Sequence, residues 1–239
     1  MPRKNLLEPY HGKLSPEQIA EGMNAAIANA RRLAEDARLL LASKRYSTAA
    51  SLAILSIEEA GKVTVLRELA LVRDDGELRE AWRSFRTHTD KNVMWLLPQL
   101  LARGARKLDD FARITDPSSD HPQVLDAVKQ LGFYTDCLGE AHWSIPADVV
   151  DENLARLLVE MSEVFAGKQE VRPREIELWI KHLQPVWKSN PAWIKGALKN
   201  WYAEMQAEGL APPGPNELEG FIEAGIAEPE APPNSPPGA

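Results

Sequence analysis

From Ser15 onward apolar residues recur every three or four positions, and no useful stretch of the chain alternates with a period of two. That spacing lays one apolar stripe along a helix and none along a strand, so the expected fold class is all-α. The first stripe runs through Ile19, Met23, Ala26, Ile27, Ala30, Leu33, Ala37, Leu40 and Leu41. Ser15-Pro16-Glu17-Gln18 opens it with a serine cap, a proline at the first helical position and a glutamine three residues after the cap. The helix is expected to reach about Ser43. A second follows Tyr46 and runs to Leu71 or Val72, where Asp74-Asp75-Gly76 reads as a turn. A third is expected over about residues 78–102. A fourth opens at Asp120-His121-Pro122 and ends before Ile145-Pro146, with His142 on its buried stripe. Four long helices with short connections predict an antiparallel bundle.

This reading divides the chain into an irregular arm (1–14), a helical bundle (15–145), a smaller helical region (146–210) and a tail (211–239). Eight of the 18 prolines fall in that tail, which is expected to be disordered, except that residues 217–227 have the spacing of a short amphipathic helix. The net charge of −7 is a poor guide to partners. Seven glutamates and no Lys, Arg or Asp follow Tyr202, so the preceding body is neutral and carries its own local patches. A single cysteine, Cys137, allows no intrachain disulfide and suits a reducing compartment. The longest charge-free apolar run, residues 92–102, is too short to span a bilayer, so no membrane association and a cytoplasmic location are expected.

Two places carry chemistry. On the second helix, Glu59 and Lys62 interrupt an apolar face formed by Leu52, Leu55, Leu66 and Leu69, and either Glu58 or Glu59 is spaced to pair with Lys62. Gly61 in mid-helix costs about 1 kcal/mol relative to alanine, a cost that suits a close approach by another segment. A solvated ion pair at the bundle rim is the plainer alternative. On the third helix, His88 lies on the largely apolar line Ala81, Phe85, Asn92, Trp95, inside a patch holding Arg79, Arg83, Arg86, Lys91, Arg103 and Lys107. Like charges disfavour an imidazolium there, which favours a neutral general base. A hydrogen-bonded core histidine is the alternative.

These residues resemble a known family. Arg83-x4-His88 matches the R-x4-6-H motif of HEPN-domain ribonucleases. Glu58-Glu59-Ala60-Gly61-Lys62, then His88-x-x-Lys91, then Lys129-Gln130 with Tyr134 and Asp136, in that order, resemble the AbiV-type abortive infection proteins of bacterial antiphage defence. The resemblance covers about residues 15–150. It implies a HEPN-like four-helix bundle, a role in halting phage propagation, and metal-independent RNA cleavage by a homodimer with no cofactor. By that resemblance His88 activates the ribose 2′-OH or protonates the leaving oxygen, and Arg83 stabilises charge on the phosphate. Glu58, Glu59, Lys62 and Lys91 are polar support at the same cleft, and Arg79, Arg86, Arg103 and Lys107 hold nucleic acid. The expected partners are RNA (tRNA, mRNA or rRNA) and a phage-encoded activator. On one straight helix five residues turn through about 500°, so Arg83 and His88 would point about 140° apart and converge only through arginine's length, a local distortion or a second subunit.

Other chemistries fit less well. No Glu-x-x-His exists for a di-iron bundle, and the five histidines and Cys137 are too scattered for a zinc site. Neither a phosphate-binding P-loop nor a nucleophile elbow is present. The rival function is a non-enzymatic protein that binds RNA or a phage protein. Trp179, Trp187, Trp193 and Trp201 interleave with lysines and arginines, and are read either as base-stacking platforms or, preferably, as core anchors. The acidic tail has two readings, a solubilising segment and a polyanion mimic that covers the basic helix.

Overall fold

The computed structural model of the chain describes residues 8–87, 91, 100–101, 103–106, 110, 120–167 and 170–226. Helix α1 (Pro16–Ala42) begins as its sequence dictates. The Ser15 hydroxyl accepts the Gln18 N–H and the Gln18 side chain accepts the Ser15 N–H, so two donors at the helix start are satisfied reciprocally. Lys44 adopts the left-handed conformation (φ 59°) in the three-residue reversal that leads into α2 (Tyr46–Ala70).

Helix α2 is the centre of the molecule. Its buried residues lie on every side, among them Ala49, Ala50, Ser51, Ala53, Ile54, Ser56, Ile57 and Glu58. A helix wrapped by neighbours has no single apolar stripe, and small side chains let those neighbours come close. The Ser56 hydroxyl donates to the Ala30 carbonyl of α1 (2.7 Å), and the Ser51 hydroxyl donates to the carbonyl of Lys129 (3.2 Å).

The third helix departs from expectation. Asp74 is its cap rather than part of a turn, accepting from the N–H groups of Gly76 and Glu77, so α3 spans Asp75–Arg86. It stops at Thr87, whose backbone is extended (φ −79°, ψ 128°) and whose hydroxyl bonds back to the Arg83 carbonyl. The α2–α3 corner is locked by Glu77, which accepts from the Arg73 guanidinium (2.7 Å) and the Arg73 backbone N–H (2.9 Å). Those bonds hold the Glu77 carboxyl down to about 2. A depressed carboxyl contributes stability that is complete above its unfolded value and is lost as pH falls through the folded one. Acid titration should therefore show stability draining between pH 4.5 and about 2. Glu77→Gln should flatten that part of the curve, and a curve unchanged by the substitution would refute the assignment.

The fourth helix is also shorter than expected: α4 spans His121–Phe133. The chain then forms a small antiparallel hairpin, β1 (Cys137–Leu138) with β2 (His142–Trp143), registered Cys137 to Trp143 and Leu138 to His142. Its positive-φ residues Gly139 and Ala141 make the reversal, and Ser144 ties its base to Asp136 through both backbone and hydroxyl. His142 is consequently exposed rather than on a buried stripe. Two-residue strands are too short to leave a period in the sequence.

A single turn, α5 (Pro146–Val149), precedes α6 (Glu152–Phe165). Helix α6 closes a core in which its Ala155, Leu158, Val159 and Met161 meet Ala53, Ile54 and Ile57 of α2 and Leu125 of α4. A second core joins Ile19 and Met23 of α1, Leu66 and Leu69 of α2, Trp82 of α3, and Val171 and Ile176, the last from α7 (Pro173–Leu183). Helix α8 (Pro191–Ala207) packs on α7.

Part of the segment expected to be disordered is folded. Helix α9 (Glu217–Ala224) is the short amphipathic helix that the spacing allowed, and it packs on α8. Lys199 of α8 pairs with Glu219 (3.2 Å) and Glu223 (2.8 Å). Glu204 pairs with Lys181 and His182, and Glu208 pairs with Arg174. These four glutamates neutralise cations of the C-terminal helices, not the arginines of α3. Among the described residues no helix is long and apolar enough to cross a membrane.

Candidate functional site

Glu58-Glu59-x-Gly61-Lys62 sits at a junction where three parts of the chain meet. Glu58 is buried (3% exposed) and accepts from the ammonium of Lys129 on α4 (2.5 Å), itself buried (4% exposed). Asp126, one turn before Lys129, supplies a second carboxylate at 2.7 Å. Burial alone would lower the Lys129 ammonium, but its bonds to Asp126 and Glu58 outweigh burial and hold it above the ordinary lysine value. Glu59 takes the other role expected of the glutamate pair and bonds Lys62 (2.5 Å, half-buried). The Lys62 ammonium also lies 5.5 Å from the centre of the Phe85 ring on α3.

Gly61 explains itself through its neighbour. The backbone of Lys91 lies against it so closely that a Cβ built there would overlap the Lys91 carbonyl oxygen and stand 2.8 Å from the carbonyl carbon. Lys91 is buried (5% exposed). Burial first and Lys62 second hold its ammonium below the ordinary lysine value, against the attraction of Glu58 and Glu59. Gly132 does for α4 what Gly61 does for Lys91, since a side chain there would strike the Ser51 hydroxyl and approach the Ser47 carbonyl. Three carboxylates and three ammonium groups are thus gathered in one largely buried network. At its edge the Lys91 backbone is seated on α2 at Gly61.

The structure brings Glu58, Glu59, Lys62 and Lys91 near one another. It adds Lys129 and Asp126, which the sequence reading did not place at the site. The signal was present in Lys129-Gln130, which belongs to the same motif series. His88 and Lys107 lie outside the described residues. Arg83 is exposed near the end of α3, with Glu80 at 3.6 Å as its ion-pair partner among the described residues. Arg79 and Arg103 are exposed. Arg86 is engaged by the N-terminal arm: it donates to the carbonyls of Tyr10 (2.6 Å) and Trp82 (3.2 Å) and lies 5.1 Å from the Trp82 ring centre. These contacts tie the exposed Arg86 side chain to the arm. Because α3 ends at Arg86, the 140° divergence calculated for one straight helix does not apply between Arg83 and His88. Trp179 and Trp201 meet edge to face (5.2 Å) as anchors, whereas Trp193 is exposed. Among the described residues no group of His, Cys, Asp and Glu is arranged to hold a metal ion.

A mostly helical bundle cross-linked at these motifs agrees with the HEPN-type fold that the motif series resembles. The family model HEPN_AbiV, described as AbiV, matches residues 18–167, and the chain belongs to this abortive-infection family. No curated protein and no solved structure is matched.

Proposed function

We propose that the protein is an antiphage effector that cleaves RNA without a metal ion and so halts host translation during infection. Family membership supports the setting. The observation that carries the chemistry is the break in α3 at Thr87, which separates Arg83 from His88, followed by the seating of Lys91 on Gly61. The contact of Lys91 with Gly61 anchors the chain three positions past His88 in the sequence, and catalytic groups work only when positioned. In this reading His88 exchanges the proton of the attacking 2′-OH or of the leaving 5′ oxygen. Arg83, exposed on α3, meets the negative charge that develops on the phosphate. The RNA is host tRNA, mRNA or rRNA, a phage-encoded protein is the trigger, the active unit is a homodimer, and the setting is the cytoplasm.

Arg83→Ala and His88→Ala should each abolish phage protection while leaving the helical spectrum and melting temperature near those of the parent. Purified parent protein should cut total RNA in EDTA, and neither variant should. Full protection by a folded His88→Ala protein would end the enzymatic reading. Sedimentation of a fully active monomer at micromolar concentration would end the dimeric one.

One observation favours a second reading, a non-enzymatic protein that binds a phage protein or RNA. Arg83 borders a hollow of about 280 Å³ shared with Glu68, Glu77, Glu80 and Lys188. Carboxylates there repel a phosphate backbone and suit a basic protein surface. Protection that survives loss of cleavage would select this reading.

A further inference from the structure

Arg67 lies on α2 just beyond the Glu58–Lys62 motif and takes no part in its ion pairs. Its guanidinium lies 5.2 Å from the Trp179 ring centre and 5.6 Å from that of Trp201, while the Trp179 indole N–H donates to the Arg67 carbonyl (3.1 Å). Two tryptophans on different helices thus fix the head group of one arginine. Among the described residues that head group makes no hydrogen bond and no salt bridge. Glu175 attracts it through space, and burial works against its charge. The half-buried guanidinium is thus held in place by ring contacts, with donors still able to meet a ligand.

Arg67 faces a cavity of about 460 Å³ between α2 and the α6–α7 connection. That volume lies within the range of about 300–1,000 Å³ usual for small-ligand sites. The walls combine apolar side chains, Ile57, Phe165 and Val171, with the carboxylates of Glu170 and Glu175. Glu175 already accepts the Arg172 N–H through Oε1 (3.1 Å), which fixes its direction and leaves Oε2 and the second lone pair of Oε1 for a ligand.

A polyphosphate is a poor occupant, because two carboxylates share the cavity with one arginine. A simple aliphatic acid would use Arg67 and leave Glu170 and Glu175 unanswered. The walls ask for a flat, mostly apolar body with paired acceptors on one edge and paired donors on another. We propose that this cavity binds a guanine base, Arg67 donating to O6 and N7 and Glu175 accepting from N1–H and the 2-amino group. A guanidinium reads O6 and N7 as a bidentate pair, and the ring faces lie against Ile57, Phe165 and Val171. Adenine offers a donor where guanine offers O6, so it turns an N–H toward Arg67.

Free guanosine and a guanine within RNA present the same edges, and the proposal does not rest on RNA cleavage. Titration calorimetry of the full chain with guanosine, inosine and adenosine, and with single-stranded trinucleotides bearing a central G or A, tests it. Guanosine should bind saturably, and adenosine should bind at least about tenfold more weakly, the loss expected for one mismatched bidentate contact. Inosine, which lacks the 2-amino group, should fall between them. Arg67→Met should abolish binding. Should that variant unfold, Glu175→Gln keeps the acceptor used by Arg172 and should erase the preference for guanosine over inosine. Tighter binding of the G trinucleotide than of guanosine supports the site with RNA as its source, and equal binding supports it with the free nucleoside. No saturable binding by guanosine or the G trinucleotide, equal binding of adenosine, or an unchanged preference in folded Glu175→Gln would each overturn it.

Discussion

Glu58→Ala is expected to destabilise the protein by about 3 kcal/mol, the low end of the range for removing one partner of a buried ion pair. The reason lies in what is left behind. Lys129 is almost fully buried and would keep its ammonium with Asp126 as its remaining carboxylate partner among the described residues. Asp126 limits the loss, since a wholly orphaned ammonium would cost more. Urea unfolding should show a lower midpoint with an unchanged slope. Glu59→Ala is the internal comparison: its pair with Lys62 is half-buried and follows the helix spacing, so the expected loss is within about 1 kcal/mol. A double variant, Glu58→Leu with Lys129→Met, should recover part of the stability, because apolar residues of similar volume replace the desolvated pair and the Asp126 carboxylate it releases is partly open to water. If Glu58→Ala and Glu59→Ala cost the same, the buried network is not the lock described above.

Gly61→Ala should destabilise by about 2 kcal/mol, although helix propensity alone predicts a gain of about 1 kcal/mol. The added methyl group meets the Lys91 backbone rather than the end of a flexible side chain, so one of the two segments has to move. Gly196 in α8 is the control, since a Cβ there meets nothing within 4 Å. Gly196→Ala should therefore stabilise the protein by about 0.5–1 kcal/mol. The two substitutions are chemically identical and should have opposite signs in thermal unfolding. On the proposed function, Gly61→Ala should also reduce phage protection beyond its effect on stability, because it displaces Lys91, three positions past His88 in the sequence. A Gly61→Ala protein as stable and as protective as the parent would show that Lys91 is not seated as described.

Much of the helical frame was legible because its signals are local. The Ser15–Gln18 capping box, the start of α2 after Tyr46 and the amphipathic spacing of α9 each depend on a few neighbouring residues. The end of α3 was not legible, since nothing in the 78–102 run is a strong breaker before Pro98. Thr87 ends the helix through its own hydroxyl bond to Arg83, while Arg86 is drawn toward the arm at Tyr10. The hairpin after Phe133 was missed because strands of two residues have no period to detect.

At the site, the sequence by itself determined that glutamates, a glycine and a lysine share a turn of α2, and that Gly61 marked a close approach. Only the tertiary structure decided what approached it and which glutamate paired with which lysine. Helical spacing allowed Lys62 to take either carboxylate. Burial of Lys129 against α2 then assigned Glu58 to α4 and left Glu59 for Lys62. A local rule cannot see that choice, because it depends on which oxygen lies next to a cation brought from 71 residues away and desolvated with it. For the same reason no local signal marks Arg67, whose ring contacts come from Trp179 and Trp201 on two later helices.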